Sequence, residues 1–329
     1  MDTFPVVCRL RIIHQYNPSM NENIWQNELR QAITDTDELC RILAIPSCTV
    51  HTDYPLRIPR PFVGLMERGN PNDPLLLQVL PRSEENQVAH GFTKDPLGEI
   101  ADADNGVALN KYAGRTLLLA SQACGVHCRF CFRRHFPKRN NHGELGGYHH
   151  HIEEVILSGG DPLMLDDDEL DNLLQSILRM KHVRRIRIHS RLPIVLPSRL
   201  TPQLAERLTL PIPVYLVLHV NHPNELSEEF LERRELLVKP VVMAQTVLLR
   251  NINDDVETLD RLFRRLIDAR ILPYYLHQLD RVEGSAHFEV PPEKGLELLG
   301  DLRNRLPGYA VPAYVREVAG KSCKEVIVG

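Results

Sequence analysis

The sequence predicts an α/β fold of parallel strand–helix–strand units, preceded by a mainly helical N-terminal region. Three observations lead there. From about residue 115 onward, short apolar or β-branched runs alternate with amphipathic stretches of helical period, the signature of a parallel sheet with crossover helices. Aspartate or threonine opens several of those stretches, where a side-chain oxygen caps a helix N-terminus. Polar residues close every strand candidate, at the sheet edge where α/β folds gather their functional groups.

Taken in order, residues 1 to about 110 hold the helical stretches ENIWQNELRQAI and DELCRILAI and a proline-punctuated middle, DYPLRIPRPF and NPNDPLLLQVLP. HGFTKDPLGEIADADNG is turn-rich and polar and reads as a linker or arm. Six strand candidates follow: TLLLAS, EVILSG, RRIRIHS, VYLVLHV, VVMAQTVLL and PYYLHQLD. The helical patterns DDDELDNLLQSILRM, TPQLAERL, SEEFLERREL, DDVETLDRLFRRLIDAR and PPEKGLELLGDLRNRL lie among and after them. Periodicity leaves open whether such strands close most of a barrel or form an open sheet. Their polar ends are the cysteine run after the first, SGGDP, HSR, HVNHPNE, Gln245 with LLRNIND, and HQLD. Polar groups at all six ends point to a single large site.

Composition narrows the class. A net charge of −4, with 43% hydrophobic and 25% charged residues, describes a soluble globular protein and argues against a dedicated nucleic-acid binder. The start, MDTFPVVCRLRIIHQYNP, lacks a basic segment followed by an apolar core, so no secretory signal is expected. No apolar run approaches the roughly 18 residues of a membrane span. Seven cysteines, scattered as Cys8, Cys40, Cys48, Cys124, Cys128, Cys131 and Cys323, do not form a disulfide framework, and a reducing cytoplasm is the simplest setting.

Three motifs carry chemistry. Cys124-x3-Cys128-x2-Cys131 brings three soft thiolates onto one loop, suited to an iron–sulfur cluster or zinc. Three cysteines would leave one iron of a four-iron cluster open to a small molecule. Zinc needs a fourth ligand, for which His127, His135, His142 and the run His149, His150 and His151 are candidates. In SGGDP, Ser158 is followed by Gly159 and Gly160, which let backbone approach a ligand, and by Asp161, which can accept from an ammonium or hydroxyl. The same five residues also read as a tight turn ahead of a capped helix. The C-terminal VPAYVREVAGKSCKEVIVG carries Lys321 and Lys324. A lysine there either forms a Schiff base with an aldehyde cofactor or is a solvated surface group.

From about residue 30 to the C-terminus, RGNPNDPLLLQVLP, DPLGE, CRFCFRRHFP, LSGGDPLM, RIHSRLPIVLPSRLTP, NHPNE, TVLLRNIND, PYYLHQLD and VPAYVREVAG together resemble the lysine 2,3-aminomutase family of radical S-adenosylmethionine (SAM) enzymes. Within it they are most similar to the branch that makes β-lysine for elongation factor P (EF-P). The resemblance implies a partial (β/α)6 TIM-like barrel over 111–329 with a helical arm over 1–110. It implies that Cys124, Cys128 and Cys131 hold a [4Fe–4S] cluster whose open iron takes SAM. SGGDP would contact the SAM amino group through Asp161, with His219 and Gln245 as further contacts. Lys324, rather than Lys321, aligns with the lysine that binds pyridoxal 5′-phosphate (PLP). Lys111, Tyr112 and Arg115 match positions around the PLP phosphate, whose charge calls for cations. Arg133 would clamp the substrate carboxylate as a bidentate pair, and Asp280 and Glu317 would face the distal ammonium.

The activity so implied is an isomerase, L-lysine 2,3-aminomutase, turning (S)-α-lysine into (R)-β-lysine through a 5′-deoxyadenosyl radical with PLP. Implied partners are lysine, a flavodoxin- or ferredoxin-type electron donor, and EF-P with its lysyl-transferase, with room for a homo-oligomer and no nucleic-acid or membrane partner. The alternatives are an aminomutase for another amino acid, such as glutamate, and a zinc-bearing binding module. GKSCK without a glycine run or further metal-binding cysteines favours the EF-P branch. Glu317 replaces an aspartate of the free-lysine enzymes, and His277 stands where they have tyrosine. Between Cys131 and Val155 the family has a full helix. Here Gly143, Gly146 and Gly147 leave at most about two helical turns, so an abbreviated first crossover is expected.

Overall fold

The structure, a computed structural model, describes residues 24–48, 50–100, 108–137 and 152–329, with the side chains of 110–112 excepted. The segment expected to form a shortened crossover lies almost wholly outside the described residues.

Nine strands form one sheet in sequential order: β1 (Ala108–Tyr112), β2 (Arg115–Ser121), β3 (Glu154–Gly159), β4 (Arg185–Ser190), β5 (Val214–His219), β6 (Val241–Val247), β7 (Leu272–His277), β8 (Ala313–Arg316) and β9 (Glu325–Val326). Neighbours from β2 to β8 run parallel. β1 and β9 cap the two edges as antiparallel partners of β2 and β8, and no pairing joins one edge to the other among the described residues. All six expected strands are present. A seventh parallel strand, β8, corrects the expected count. AYVR is only four residues long and follows Pro312, too short to reveal a period of two in sequence.

The helices arise where the caps predict. In α3 (Asp167–Leu178), Asp166 and Glu169 form a reciprocal capping box, and Thr201 caps α4 (Pro202–Arg207). Ser227 caps α5 (Glu228–Arg234) and Asp255 caps α6 (Val256–Asp268), while α7 (Pro292–Arg305) starts on a proline that needs no N–H partner. Leu259, Leu262, Phe263 and Leu266 of α6 lie at i, i+3, i+4 and i+7 and are all buried. Each such burial stabilises by about 1.5–3 kcal/mol.

The sheet's two faces differ, and this places the site. Alternate residues such as Leu118, Ile186, Leu216, Ala244 and Leu276 are fully buried in one cluster with the helices. The opposite face carries Ser158, His189, His219, Gln245 and His277, all half-buried. Register keeps them on one side: His189 pairs with Val217, His219 with Gln245, and Val247 with His277. Before the sheet, two helices of about two turns each, α1 (Ile24–Arg30) and α2 (Thr36–Leu43), bury Trp25, Leu29, Leu39 and Leu43. These belong to the same hydrophobic core as the strands.

Candidate active site

The cysteine loop leaves the end of β2 and is pressed against the SGGDP turn. A Cβ on Gly159, whose φ is +107°, would lie 2.6 Å from the Ser121 carbonyl, and one on Gly160 would lie 2.4 Å from that of Ala123. Asp161 N–H donates to the same Ala123 oxygen at 2.8 Å. The glycine pair is therefore explained by close approach of the protein's own backbone, the polypeptide that leads into Cys124.

Below the loop, Arg129 is fully buried. Its Nε donates to Glu85 at 2.8 Å, and its Nη2 donates to Glu85 at 2.6 Å and to Thr52 at 2.8 Å. Arg134 shares Glu85 at 2.6 Å. This knot ties the N-terminal region to the CRFCFRR run.

None of the six described cysteines is disulfide-bonded. Burial pushes the Cys124 thiol well up, with Cys131, Asp161 and Cys128 adding to it. Cys131 is pushed to about 11 by burial and by Cys128. Burial also raises Cys128, against the opposing charge and hydrogen bond of Arg191. Thiols that disfavour one another's ionisation face a common space, and a bound cationic metal group would relieve that penalty. Among the described residues no three His, Cys, Asp or Glu side chains converge as the ligands of a single ion would. Two of the candidate fourth zinc ligands each hold one ring nitrogen on a backbone carbonyl, His127 Nδ1 on that of Pro55 at 3.0 Å and His135 Nε2 on that of Glu283 at 3.1 Å. His142, His149, His150 and His151 lie outside the described residues.

Asp161 joins the turn to its neighbours. Expected to accept from a ligand's ammonium, its carboxylate is buried and accepts from Leu163 N–H and the Ser190 hydroxyl on one oxygen, and from Arg191 and Leu192 N–H on the other. Burial raises its pKa while these donors, Ser190 foremost, hold it down. A carboxylate offers about four acceptor sites, and the chain fills them. Asp161 fastens the turn after β3 to the turn after β4.

Arg133 is held from two sides. Its Nε and Nη2 reach Glu99 of the DPLGE arm at 2.9 and 2.8 Å. Nη1 donates to Ser158 Oγ at 3.1 Å and to the Gly159 carbonyl at 3.2 Å. Of five N–H bonds, one is left over, so a bidentate clamp on a substrate requires Arg133 to release the arm or the turn.

Lys324 sits inward and Lys321 outward. Lys324 Nζ pairs with Glu317, whose side chain is 6% exposed, whereas Lys321 pairs with Glu325 and is itself 53% exposed. The Lys324 ammonium lies close enough to disfavour protonation of both His277 and His189. Burial is the larger cause for each, pushing His277 down to about 3 and His189 well below its usual value. The Nε2 atoms of both are buried without a hydrogen-bond partner among the described residues. Buried polar atoms are nearly always satisfied, so these two, beside a lysine amine, are groups that a polar ligand would satisfy.

His219 Nε2 meets Asn221 Oδ1 at 3.0 Å, and burial and Arg191 lower its pKa well below the ordinary value. Gln245 lies beside it in register. Asp280 is half-buried on the loop after β7. Arg115 opens β2, at the end of the strand away from the cysteines; burial and the Tyr274 hydroxyl raise the pKa of Tyr275 on the same face, against the charges of Arg187 and Arg115. The side chains of Lys111 and Tyr112 lie outside those described. Residues that sequence reasoning did not assign are Glu99, Gln78, Arg191, Asn221 and Glu225. Arg191, Asn221 and Glu225 stand in the polar strand-end motifs HSR and NHPNE, which is the signal that marks them.

A thiol trio, a buried glutamate holding a lysine amine and two unsatisfied histidines thus share one end of a parallel sheet. No protein-family model matches the chain. It is 43% identical over 321 residues to the L-lysine 2,3-aminomutase of Escherichia coli (strain K12), covering 91% of this chain and 93% of that protein. To the enzyme of the same name from Haemophilus influenzae it is 39% identical over 334 residues, 96% of this chain and 98% of that one. To that of Clostridium subterminale it is 32% identical over 326 residues, 93% and 78% of the two chains. At these identities and coverages, the chain belongs to the lysine 2,3-aminomutase family of isomerases.

Proposed function

We propose that this chain is an L-lysine 2,3-aminomutase converting (S)-α-lysine to (R)-β-lysine. In this reading Cys124, Cys128 and Cys131 hold a [4Fe–4S] cluster that binds SAM, Lys324 holds PLP, and the sheet curls into a partial barrel around them. The observation that carries it is the inward placement of Lys324, on Glu317 and beside the unsatisfied His277 and His189. The names of the relatives support the reaction. When bound, the cluster with SAM supplies a 5′-deoxyadenosyl radical, and PLP supplies an electron sink for the migrating nitrogen.

The chain's own groups bind, orient and exclude water. Glu317 already accepts an alkylammonium, that of Lys324, the same group as the distal end of lysine. Asp280 follows the neighbouring strand, since His277 of β7 pairs with Val315 of β8, and shares that role. Arg133 meets the substrate carboxylate after loosening its hold on Glu99. Arg115, Lys111 and Tyr112 serve the PLP phosphate, while His219, Gln245 and Ser158 to Gly160 line the SAM side. Leu77, Phe130, Leu249, Ile252, Leu279 and Phe288 form a separate apolar cluster against the cysteine loop, which keeps water from the reacting groups. The β-lysine would go to EF-P through its lysyl-transferase, with a flavodoxin or ferredoxin supplying the electron.

Anaerobic reconstitution with iron, sulfide, SAM, PLP, dithionite and L-lysine, followed by chromatography, is expected to yield β-lysine. Stoichiometric zinc without sulfide would sink the cluster reading. Turnover of glutamate but not lysine would reassign the substrate.

A further inference from the structure

Beyond the groups assigned to cofactors and substrate, Cys128 is backed by a buried ionic network. Arg191, in the turn after β4, has a side chain only 6% exposed, and Glu225, after β5, is fully buried. Arg191 Nη1 donates to Cys128 Sγ at 2.7 Å. Its Nη2 donates to Gln78 Oε1 at 2.7 Å and to Glu225 Oε2 at 3.3 Å. Gln78 Nε2 donates in turn to Glu225 Oε1 at 2.9 Å, and Asn221 donates to Gln78 Oε1 at 2.9 Å and to Glu225 Oε1 at 3.2 Å. The guanidinium carbon lies 5.8 Å from the Phe62 ring centroid and 5.6 Å from that of Phe130.

A full positive charge therefore rests against one sulfur of the trio, shielded from water, with its countercharge on the far side. Buried ion pairs are weak contributors to net stability compared with apolar packing, so stability alone is a poor account of this one. Four separate segments converge to build it: Gln78 from the N-terminal region, the cysteine loop, and the turns after β4 and β5. Gln78 also receives Arg129 N–H from the cysteine loop on its carbonyl at 2.9 Å.

We infer that Arg191 is a positioning residue that tunes the metal group on Cys128, drawing charge from its sulfur and favouring the reduced state, with Glu225 limiting how much of that cation the sulfur feels. This rests on the proposed [4Fe–4S] cluster. Hydrogen bonds to the sulfurs and the net charge nearby are the protein's levers on the potential of such a cluster. Glu225 and Arg191 act on it with opposite sign.

The test is a dye-mediated redox titration of the anaerobically reconstituted full-length chain, read by electron paramagnetic resonance after iron and sulfide counting. Arg191→Gln is expected to shift the potential negative by a tenfold change in the reduction equilibrium, 59 mV for one electron. Glu225→Gln, nearly isosteric, is expected to shift it positive. Arg191→Lys, which keeps the cation, should move it less than Arg191→Gln. If Arg191→Gln does not load iron, the signs for Glu225→Gln and Arg191→Lys still decide. Unchanged potentials, or shifts of one sign, in fully loaded variants overturn the inference and leave the cluster assignment standing. A parent protein that takes up no iron and sulfide overturns both.

Discussion

Asp161→Asn separates a strut from a ligand contact. The carboxylate accepts four hydrogen bonds at 2.7 to 3.0 Å, three of them from backbone N–H groups. Asparagine keeps one oxygen and turns an NH2 toward the other two donors. The cheaper orientation faces the NH2 toward Leu163 N–H and the Ser190 hydroxyl, because that hydroxyl can rotate to accept. Leu163 N–H is then left unpaired, and the remaining bonds lose their charge assistance. With hydrogen bonds to charged groups contributing about 1.5–3 kcal/mol each, the loss is about 2–4 kcal/mol. Urea denaturation of the apoprotein, with no SAM or cluster present, measures it directly. Apoprotein stability within about 0.5 kcal/mol of the parent, the range of a substitution away from structural features, would refute the strut and return Asp161 to a purely ligand-binding role.

His277 and His189 are neutral in the fold, with pKa values driven down to about 3 and well below the usual value, chiefly by burial. The unfolded chain protonates them near pH 6.5, so their contribution is intact above that pH. It falls as pH drops from 6.5 toward 3, by about 1.4 kcal/mol per pH unit per histidine. His277→Asn should flatten this slope of apoprotein stability by one proton, and an unchanged slope would contradict its neutral burial. Borohydride reduction of the PLP-loaded chain should label Lys324, and Lys324→Ala but not Lys321→Ala should abolish the label; peptide mapping of the adduct to Lys321 would reverse the assignment. Gly160→Ala places a methyl 2.4 Å from the Ala123 carbonyl and should destabilise the apoprotein by about 1–3 kcal/mol. An unshifted melting temperature would mean that the turn and the cysteine loop do not pack as described.

Local chemistry made much of this protein legible in its sequence. Strand–helix alternation, cap residues and polar strand ends are properties of contiguous residues, and they anticipated six of the seven parallel strands and five of the six α-helices after β3, all but the four-residue Leu192–Val195. Motif resemblance marked the thiol trio and Lys324. Partnership between distant residues was not legible, because a side chain's role depends on which donors and charges the fold brings to it. Three of the four chain donors around Asp161 and the Glu99 carboxylate on Arg133 come from other segments of the chain. Lys321 and Lys324 are three positions apart in one tail, and only the pairing of β9 with β8 turns Lys324 toward Glu317 and Lys321 toward Glu325. Sequence alone determined which groups are available. Tertiary structure decided which are already occupied, because burial and hydrogen bonding are settled between segments that can lie more than a hundred residues apart, as Gln78 and Glu225 do.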